Sequence, residues 1–199
     1  MKKLSAAVLC LIVLVPLARA DLIANGSFET QADGETVASP PFTGIDSKTF
    51  TSWQFFNTDA ENGAQFSATI VGKASDGAHA MRLDCTNQTS SWNYGINNYE
   101  TRFPVDPALS YQFSFDAAYV SGDTDKNLGV QIAQFDAQNN LLGQATYFHS
   151  VTGDAYETFS VTWKPEPGTA YAYVIFAPML GGVGTTSLSI DNVKLEAAP

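Results

Sequence analysis

Short runs in which apolar and polar residues alternate, separated by turn-forming residues, are the feature that most constrains how this chain can fold. In the clearest run, residues 109–119, Tyr111, Phe113 and Phe115 alternate with polar residues. Successive side chains of a β-strand point to opposite faces, so such a run predicts a strand with one buried face. Similar runs occupy residues 80–85, 129–136, 158–163, 170–177 and 187–195. No stretch after residue 20 keeps the spacing of an amphipathic helix, so the chain is predicted to be all-β.

Turn-forming residues stand between these runs. Asp76-Gly77 and Asn139-Asn140 tolerate the left-handed backbone that tight turns need. The chain has no internal repeat, low-complexity linker or shift in composition that would divide it. The predicted fold is therefore a single-domain antiparallel β-sandwich, with Trp53, Trp163 and Cys85 in its core.

The N-terminus predicts export from the cytoplasm. Lys2 and Lys3 precede an almost wholly apolar segment, residues 6–17, and Ala18-Arg19-Ala20 has the small residues of a cleavage site. The apolar segment is too short to span a bilayer, although a retained N-terminal anchor is the alternative interpretation. We expect a signal peptide in residues 1–20, cleavage after Ala20 and a secreted or periplasmic protein, residues 21–199, without membrane insertion.

Charge and cysteine content narrow the classes of partner. The chain has 20 acidic and 10 basic residues, a net charge of −10, and cleavage after Ala20 would leave seven basic residues and a net charge of −13. Nucleic acid is an unsuitable partner, because phosphate neutralisation needs a basic face. Cys85 would be the one cysteine remaining, so the fold must be stabilised by its core or by a metal. The surplus of carboxylates favours Ca²⁺, which prefers oxygen ligands.

The polar faces of the predicted strands carry side chains suited to sugars. Amide and guanidinium groups form paired hydrogen bonds with hydroxyls, and aromatic rings cover the apolar face of a pyranose. The candidate carbohydrate contacts on one sheet face are Arg82, Gln112, Asp116, Gln131 and Tyr173, with Trp92 and Tyr94 of the loop 86–99 at its edge. The alternatives are an ordinary solvated face and a Trp92 that folds back over the core.

Two terminal segments carry a resemblance to a known family. Residues 22–29, LIANGSFE, and residues 188–195, LSIDNVKL, resemble the paired terminal signatures of carbohydrate-binding modules of the families 4, 9 and 22 group. Ser52-Trp53 and residues 75–83 and 109–117 resemble the pieces between them, in the same order. The resemblance covers nearly all of residues 21–196. It implies a jelly-roll sandwich, similar to galactose-binding domains, that binds a polysaccharide or oligosaccharide on a concave sheet face or groove.

The resemblance also implies a structural Ca²⁺ where the first and last strands meet. Carried over residue by residue, Glu29 and Asp191 would be its carboxylate ligands, and the turn from Asp76 to His79 would complete the shell. The alternative is that Glu29 is a strand-edge carboxylate and Asp191 a turn former.

No motif predicts catalysis. His79 and His149 do not stand in an HExxH spacing, and no GxSxG sequence occurs. We therefore expect a binding protein without catalytic residues. Two alternatives remain: a structural or matrix protein that uses the fold for protein contacts, and a small glycan-degrading enzyme with paired carboxylates.

Overall fold

The computed structural model describes residues 20–38, 45–57, 65–86, 92, 94–122, 127–179 and 184–199. The predicted signal peptide lies outside the described residues, apart from Ala20. So does most of the segment 87–93 around Trp92.

The described residues form two antiparallel sheets, with the strands numbered along the chain. Sheet A contains, in spatial order, β1 (Thr36–Ala38), β4 (Gln65–Val71), β5 (Ala80–Thr86), β13 (Thr185–Ala197), β8 (Tyr111–Gly122) and β11 (Glu157–Trp163). Sheet B contains β10 (Leu141–Ser150), β9 (Asn127–Phe135), β12 (Tyr171–Met179), β6 (Tyr94–Asn97), β3 (Trp53–Asn57) and β2 (Ile45–Phe50), and β7 (Phe103–Pro104) pairs with β12. The predicted antiparallel β-sandwich is confirmed.

The core lies between the two sheets and is filled from both. In β8, Tyr111, Phe113 and Phe115 are buried, as their alternation predicts. Trp53 reaches the core from sheet B, where its ring lies 5.9 Å from that of Phe176. The predicted burial of Trp163 and Cys85 is also confirmed.

All six predicted strands are present, with ends that differ by a few residues. The helical segment within the described residues is a single 3₁₀ turn, Tyr99–Thr101. Among these residues, no helix combines the length and the hydropathy needed to cross a bilayer.

The N-terminal segment lies along β13. Leu22 N donates to Leu195 O at 2.9 Å, and Val193 N donates to Gly26 O at 3.0 Å. Gly26 is required there, because a Cβ at this position would overlap the carbonyl of Val193. The two segments that carry the family resemblance are therefore neighbours in space.

Candidate functional site

A row of polar side chains crosses the outer face of sheet B. Gln54 of β3 lies opposite Asn97 of β6, and Asn97 lies opposite Ile175 of β12. Ile175 in turn lies opposite Gln131 of β9, which lies opposite Thr146 of β10. These residues alternate with core residues such as Phe55, so they point away from the core. Three amides thus share one line across the strands.

Asn97, Ile175 and Gln131 of this row line a groove of about 410 Å³. We call this groove the amide groove; it is lined by Phe56, Trp92, Asn97, Gln131, Gln144, Tyr173 and Ile175. Gln54 Oε1 is buried and has no hydrogen-bond partner among the described residues. Asn97 Oδ1 accepts a hydrogen bond from Tyr99 N at 3.0 Å, which leaves its Nδ2 to donate elsewhere. Buried polar atoms normally have partners, so these amides are suited to a hydroxylated ligand.

Aromatic rings border the groove on the side of the β9–β10 ladder. The rings of Trp92 and Phe148 lie 6.1 Å apart, and Phe148 is 64% exposed. Gly129 lies beneath the indole, where an added Cβ would come within 2.8 Å of Trp92 Cη2. A larger residue at position 129 would therefore displace the Trp92 ring from the groove.

A second group of rings borders the groove along β12. Tyr173 meets the ring of Tyr99 edge-on at 5.2 Å and stacks on Phe135 at 5.6 Å. Burial, with a smaller contribution from Tyr99, raises the pKa of Tyr173 above its ordinary value. Its hydroxyl therefore stays protonated at neutral pH and can both donate and accept hydrogen bonds.

The lining of the amide groove contains no charged side chain among the described residues. Glycoside hydrolysis commonly uses two carboxyl groups on either side of the scissile bond, and these lining residues offer none. The arrangement can stack against an apolar ring face and exchange hydrogen bonds with neutral hydroxyls. This chemistry suits binding.

The structure brings together three of the seven predicted sugar contacts. Trp92, Gln131 and Tyr173 line the same groove. Tyr94 does not border it: its side chain is fully buried in the core, where its hydroxyl donates to Pro178 O at 2.7 Å. The prediction that Tyr94 forms an edge of the site is therefore wrong.

The other three predicted contacts lie on the opposite side of the molecule. Arg82 belongs to β5, and Gln112 and Asp116 belong to β8, so all three are on sheet A. Placing them on one face with Gln131 and Tyr173 was wrong, because a sandwich has two outer faces and strand alternation does not distinguish them.

On sheet A these polar groups bind each other. Asp116 Oδ1 accepts from Thr158 Oγ1 at 2.6 Å, and its Oδ2 accepts from Ser75 Oγ at 2.7 Å and from Asn192 Nδ2 at 3.1 Å. Burial opposes ionisation of Asp116, but these hydrogen bonds outweigh it and lower the pKa. Likewise, Gln112 Nε2 donates to Ser160 Oγ, and Arg82 pairs with Asp84 at 2.9 Å.

Several groove residues were missed by the sequence analysis. These are Phe56, Asn97, Gln144 and Ile175, and the analysis also missed Gln54, which lies opposite Asn97 in the row. The signal was present in part: in the segments WQFFN and YGIN, residues 53–57 and 94–97, the polar side chains alternate with buried aromatic and aliphatic ones. These strands have only five and four residues, so they contain too few alternations for the pattern to be recognised.

Asp191, a predicted calcium ligand, is buried and accepts several hydrogen bonds. Its Oδ2 accepts from Ser75 N at 2.8 Å and Asp76 N at 2.9 Å and shares the Ser75 hydroxyl with Asp116, and its Oδ1 accepts from Asn192 N at 2.7 Å. Burial raises the pKa of Asp191, although these hydrogen bonds act in the opposite direction. The carboxylate connects β13 to the loop after β4.

Glu29 binds the same loop from the N-terminal segment. Its Oε1 accepts from Ala78 N and His79 N, each at 2.8 Å, and its Oε2 lies 3.5 Å from His79 Nδ1. The hydrogen bonds from these two amides lower the pKa of Glu29.

Glu29 and Asp191 both contact the loop after β4, and their oxygens accept hydrogen bonds from its N–H groups. A cation would have to displace the amide hydrogens directed at Glu29 Oε1 and at both Asp191 oxygens. Within the described part of the chain, no three His, Cys, Asp or Glu residues are grouped so as to hold a metal. The predicted Ca²⁺ at Glu29, Asp191, Asp76 and His79 therefore stays a prediction, in a place where Glu29 and Asp191 accept hydrogen bonds from the protein.

Comparison with known proteins places this chain in a family. A family model described as a carbohydrate binding domain matches residues 20–178. No curated protein sequence matches the chain.

Solved structures share the fold at low sequence identity. An arabinose-bound α-L-arabinofuranosidase superposes with a TM-score of 0.60 at 13% identity, over 89% of this chain and 26% of that one. A family 4 carbohydrate-binding module gives a TM-score of 0.50 at 16% identity, over 88% and 99% of the two chains. A xylan-binding domain of family 22 gives 0.50 at 14% identity, over 87% and 92%. The chain therefore spans about a quarter of the enzyme but nearly all of each binding module. By the family match, this chain belongs to the carbohydrate binding domain family.

Proposed function

We propose that this protein is exported, binds a polysaccharide without catalysing its cleavage, and does so in the amide groove. The observation that carries this proposal is the row Gln54, Asn97 and Gln131, which crosses sheet B between two groups of aromatic rings. Membership of a carbohydrate-binding family supports the same function.

The dimensions of the row favour an extended ligand. Neighbouring strands lie roughly 4.8 Å apart, so five positions in line span about 19 Å across the sheet. A sugar chain lying across the strands would meet an amide on three of the five strands. Tyr173 and Trp92 would contact its pyranose faces, and the amides would bind its hydroxyls.

The neutral lining favours a polysaccharide with a neutral backbone. The structural relatives include a xylan-binding domain, so a β-xylan is the first ligand to test. We expect the purified protein to be retarded in native gels that contain soluble xylan, β-glucan or arabinan, with serum albumin as the reference. Release of reducing ends during the same incubation would favour a glycan-degrading enzyme.

A uniform lack of retardation by a folded protein would contradict the proposed function. It would favour the alternative of a structural protein that uses this fold for protein contacts, which predicts self-association or a protein partner. Light scattering on the same samples measures the self-association directly.

The predicted Ca²⁺ has a separate test, because the proposed binding uses no metal. Thermal unfolding with added calcium and with a chelator measures it. A fall in the melting temperature with chelator would support the metal, and identical curves would support the hydrogen bonds of Asp191 and Glu29 as the connection between the termini. Cleavage after Ala20 is tested by the N-terminal sequence of the mature protein.

A further inference from the structure

Beyond Tyr173, the outer face of sheet B continues to a clamped arginine. Arg102 Cζ lies 5.3 Å from the ring centroid of Tyr99 and 5.3 Å from that of Tyr171. Its Nη1 donates a hydrogen bond to Asn139 Oδ1 at 2.6 Å. Tyr99 also touches Tyr173, which lines the amide groove. Two rings and an amide thus hold the guanidinium beside the groove.

Arg102 has no acidic partner among the described residues, whereas Arg82 pairs with Asp84 and His79 with Glu29. This is notable in a chain with 20 acidic and 10 basic residues. Within the described part of the chain, the hydrogen bonds of the Arg102 guanidinium all come from Nη1, to Asn139 and to the hydroxyl of Tyr99. Nε and Nη2 remain, and they form the edge of a guanidinium that can bind both oxygens of a carboxylate.

We propose that Arg102 binds a carboxylate on the polysaccharide held in the amide groove, so that the ligand is a neutral backbone carrying isolated uronic acid branches. This inference rests on the proposed function. Tyr171, Tyr173 and Ile175 share one face of β12, so Tyr171 lies about 7 Å along the strand from Tyr173 and about 13 Å from Ile175 of the amide row. Arg102 therefore lies to the side of the amide row, where a branch would reach and the backbone would not.

The charge of the protein distinguishes a branched ligand from a polyuronate. A net charge of −10 repels a polymer that carries a carboxylate on every sugar. Charges further apart than about 8–10 Å are largely screened at physiological salt. The electrostatic interaction of a single carboxylate at Arg102 is therefore mainly with the guanidinium. A polymer with sparse uronic acid branches avoids the overall repulsion and still offers Arg102 a carboxylate.

The test compares one polymer before and after a chemical change. Glucuronoxylan carries uronic acid branches on a xylan backbone, and reduction of its carboxylates to hydroxymethyl groups removes only the charge. We expect the wild-type protein to bind the native polymer about tenfold more tightly than the reduced one, as measured by titration calorimetry. Arg102→Gln should remove this preference and leave binding of the reduced polymer unchanged.

Two variants make the result specific. Lys164→Gln removes the same charge just after β11, in sheet A, and should keep the tenfold preference. Arg102→Lys keeps the charge without the planar fork and should show a reduced preference. Melting temperatures identify any variant that is not folded.

Each contrary outcome has one meaning. Equal binding of both polymers by the wild type, or a preference that persists in Arg102→Gln, overturns the role of Arg102 while leaving polysaccharide binding intact. Tighter binding of polygalacturonate than of glucuronoxylan overturns the sparse-branch ligand. If the wild type binds neither form of the xylan, the inference fails together with xylan as the ligand of the groove.

Discussion

The two outer faces of the sandwich obey the same alternation and differ in what their polar groups touch. On sheet A, Asp116 receives hydrogen bonds from Ser75, Thr158 and Asn192, so its carboxylate is fully engaged within the protein. On sheet B, the side-chain amide of Gln131 forms no hydrogen bond with any described residue, although this side chain is almost buried. The hydrogen-bonded groups on sheet A stabilise the fold, and the amide of Gln131 on sheet B can bind a ligand.

This difference has an energetic basis. A buried polar group that loses its partner costs about 1–3 kcal/mol, so a protein keeps such groups paired unless another molecule supplies the partner. A substitution on sheet A should therefore reduce stability and leave binding unchanged. A substitution on sheet B should do the reverse.

The largest effect on stability is expected from Asp191→Ala. The change removes a fully buried side chain and the acceptor of the N–H groups of Ser75, Asp76 and Asn192. We expect a loss of about 3–5 kcal/mol in the free energy of unfolding, measured with urea. Polysaccharide affinity, measured below the lowered melting temperature, should stay within about twofold of wild type. A loss below 1 kcal/mol would mean that this carboxylate does not connect β13 to the loop.

The largest effect on binding is expected from Trp92→Ala combined with Tyr173→Ala. Rigid aromatic side chains dominate binding energies in contacts of this kind, so we expect affinity to fall about 100-fold. The matched control is Tyr156→Ala, just before β11 of sheet A, where the Tyr156 hydroxyl bonds to Lys73 O and Ser189 Oγ. It should reduce stability and keep affinity. Affinity that survives the double change would place the binding site elsewhere.

A smaller and more direct test exchanges one glutamine on each face. Gln131→Ala should weaken polysaccharide binding about five- to tenfold and leave the melting temperature unchanged, because it removes an amide with no described partner. Gln112→Ala should leave binding unchanged and lower stability by about 0.5–1 kcal/mol, because Gln112 bonds to Ser160 and Thr162. Equal effects of the two changes on binding would remove the distinction between the faces.

The glutamine pair also shows how far the sequence could predict the molecule. Both residues stand in alternating runs, and the alternation correctly predicts that both point away from the core. Which sheet each strand joins depends on pairing between distant segments: Asp116 lies opposite Asp191, 75 positions later in the chain. Local pattern contains no such information, so the strands could be predicted and the composition of the face could not.

The smallest expected effect is that of pH on binding. Affinity depends on sheet B and should be insensitive to pH, whereas the carboxylate of Asp116 on sheet A titrates. The described lining of the amide groove has no carboxylate, and the pKa of Tyr173 is raised by burial, so its hydroxyl stays protonated well above neutral pH. We expect affinity for a neutral xylan to change less than about twofold between pH 5 and pH 9. A larger change would show that a titrating group contacts the ligand.

Stability should respond to acid even though binding does not. The hydrogen bonds of Asp116 hold its pKa below that of the unfolded chain, so its stabilisation is complete above about pH 4 and is lost as the pH falls through the folded-state pKa. Asp191 acts in the opposite sense, because burial raises its pKa and favours the protonated form in the folded state. Melting temperatures between pH 5 and pH 2.5 should therefore fall less steeply in Asp116→Asn than in wild type. If the two curves run parallel, Asp116 is not a source of acid sensitivity. The claim that its hydrogen bonds on sheet A stabilise the fold then loses its main support.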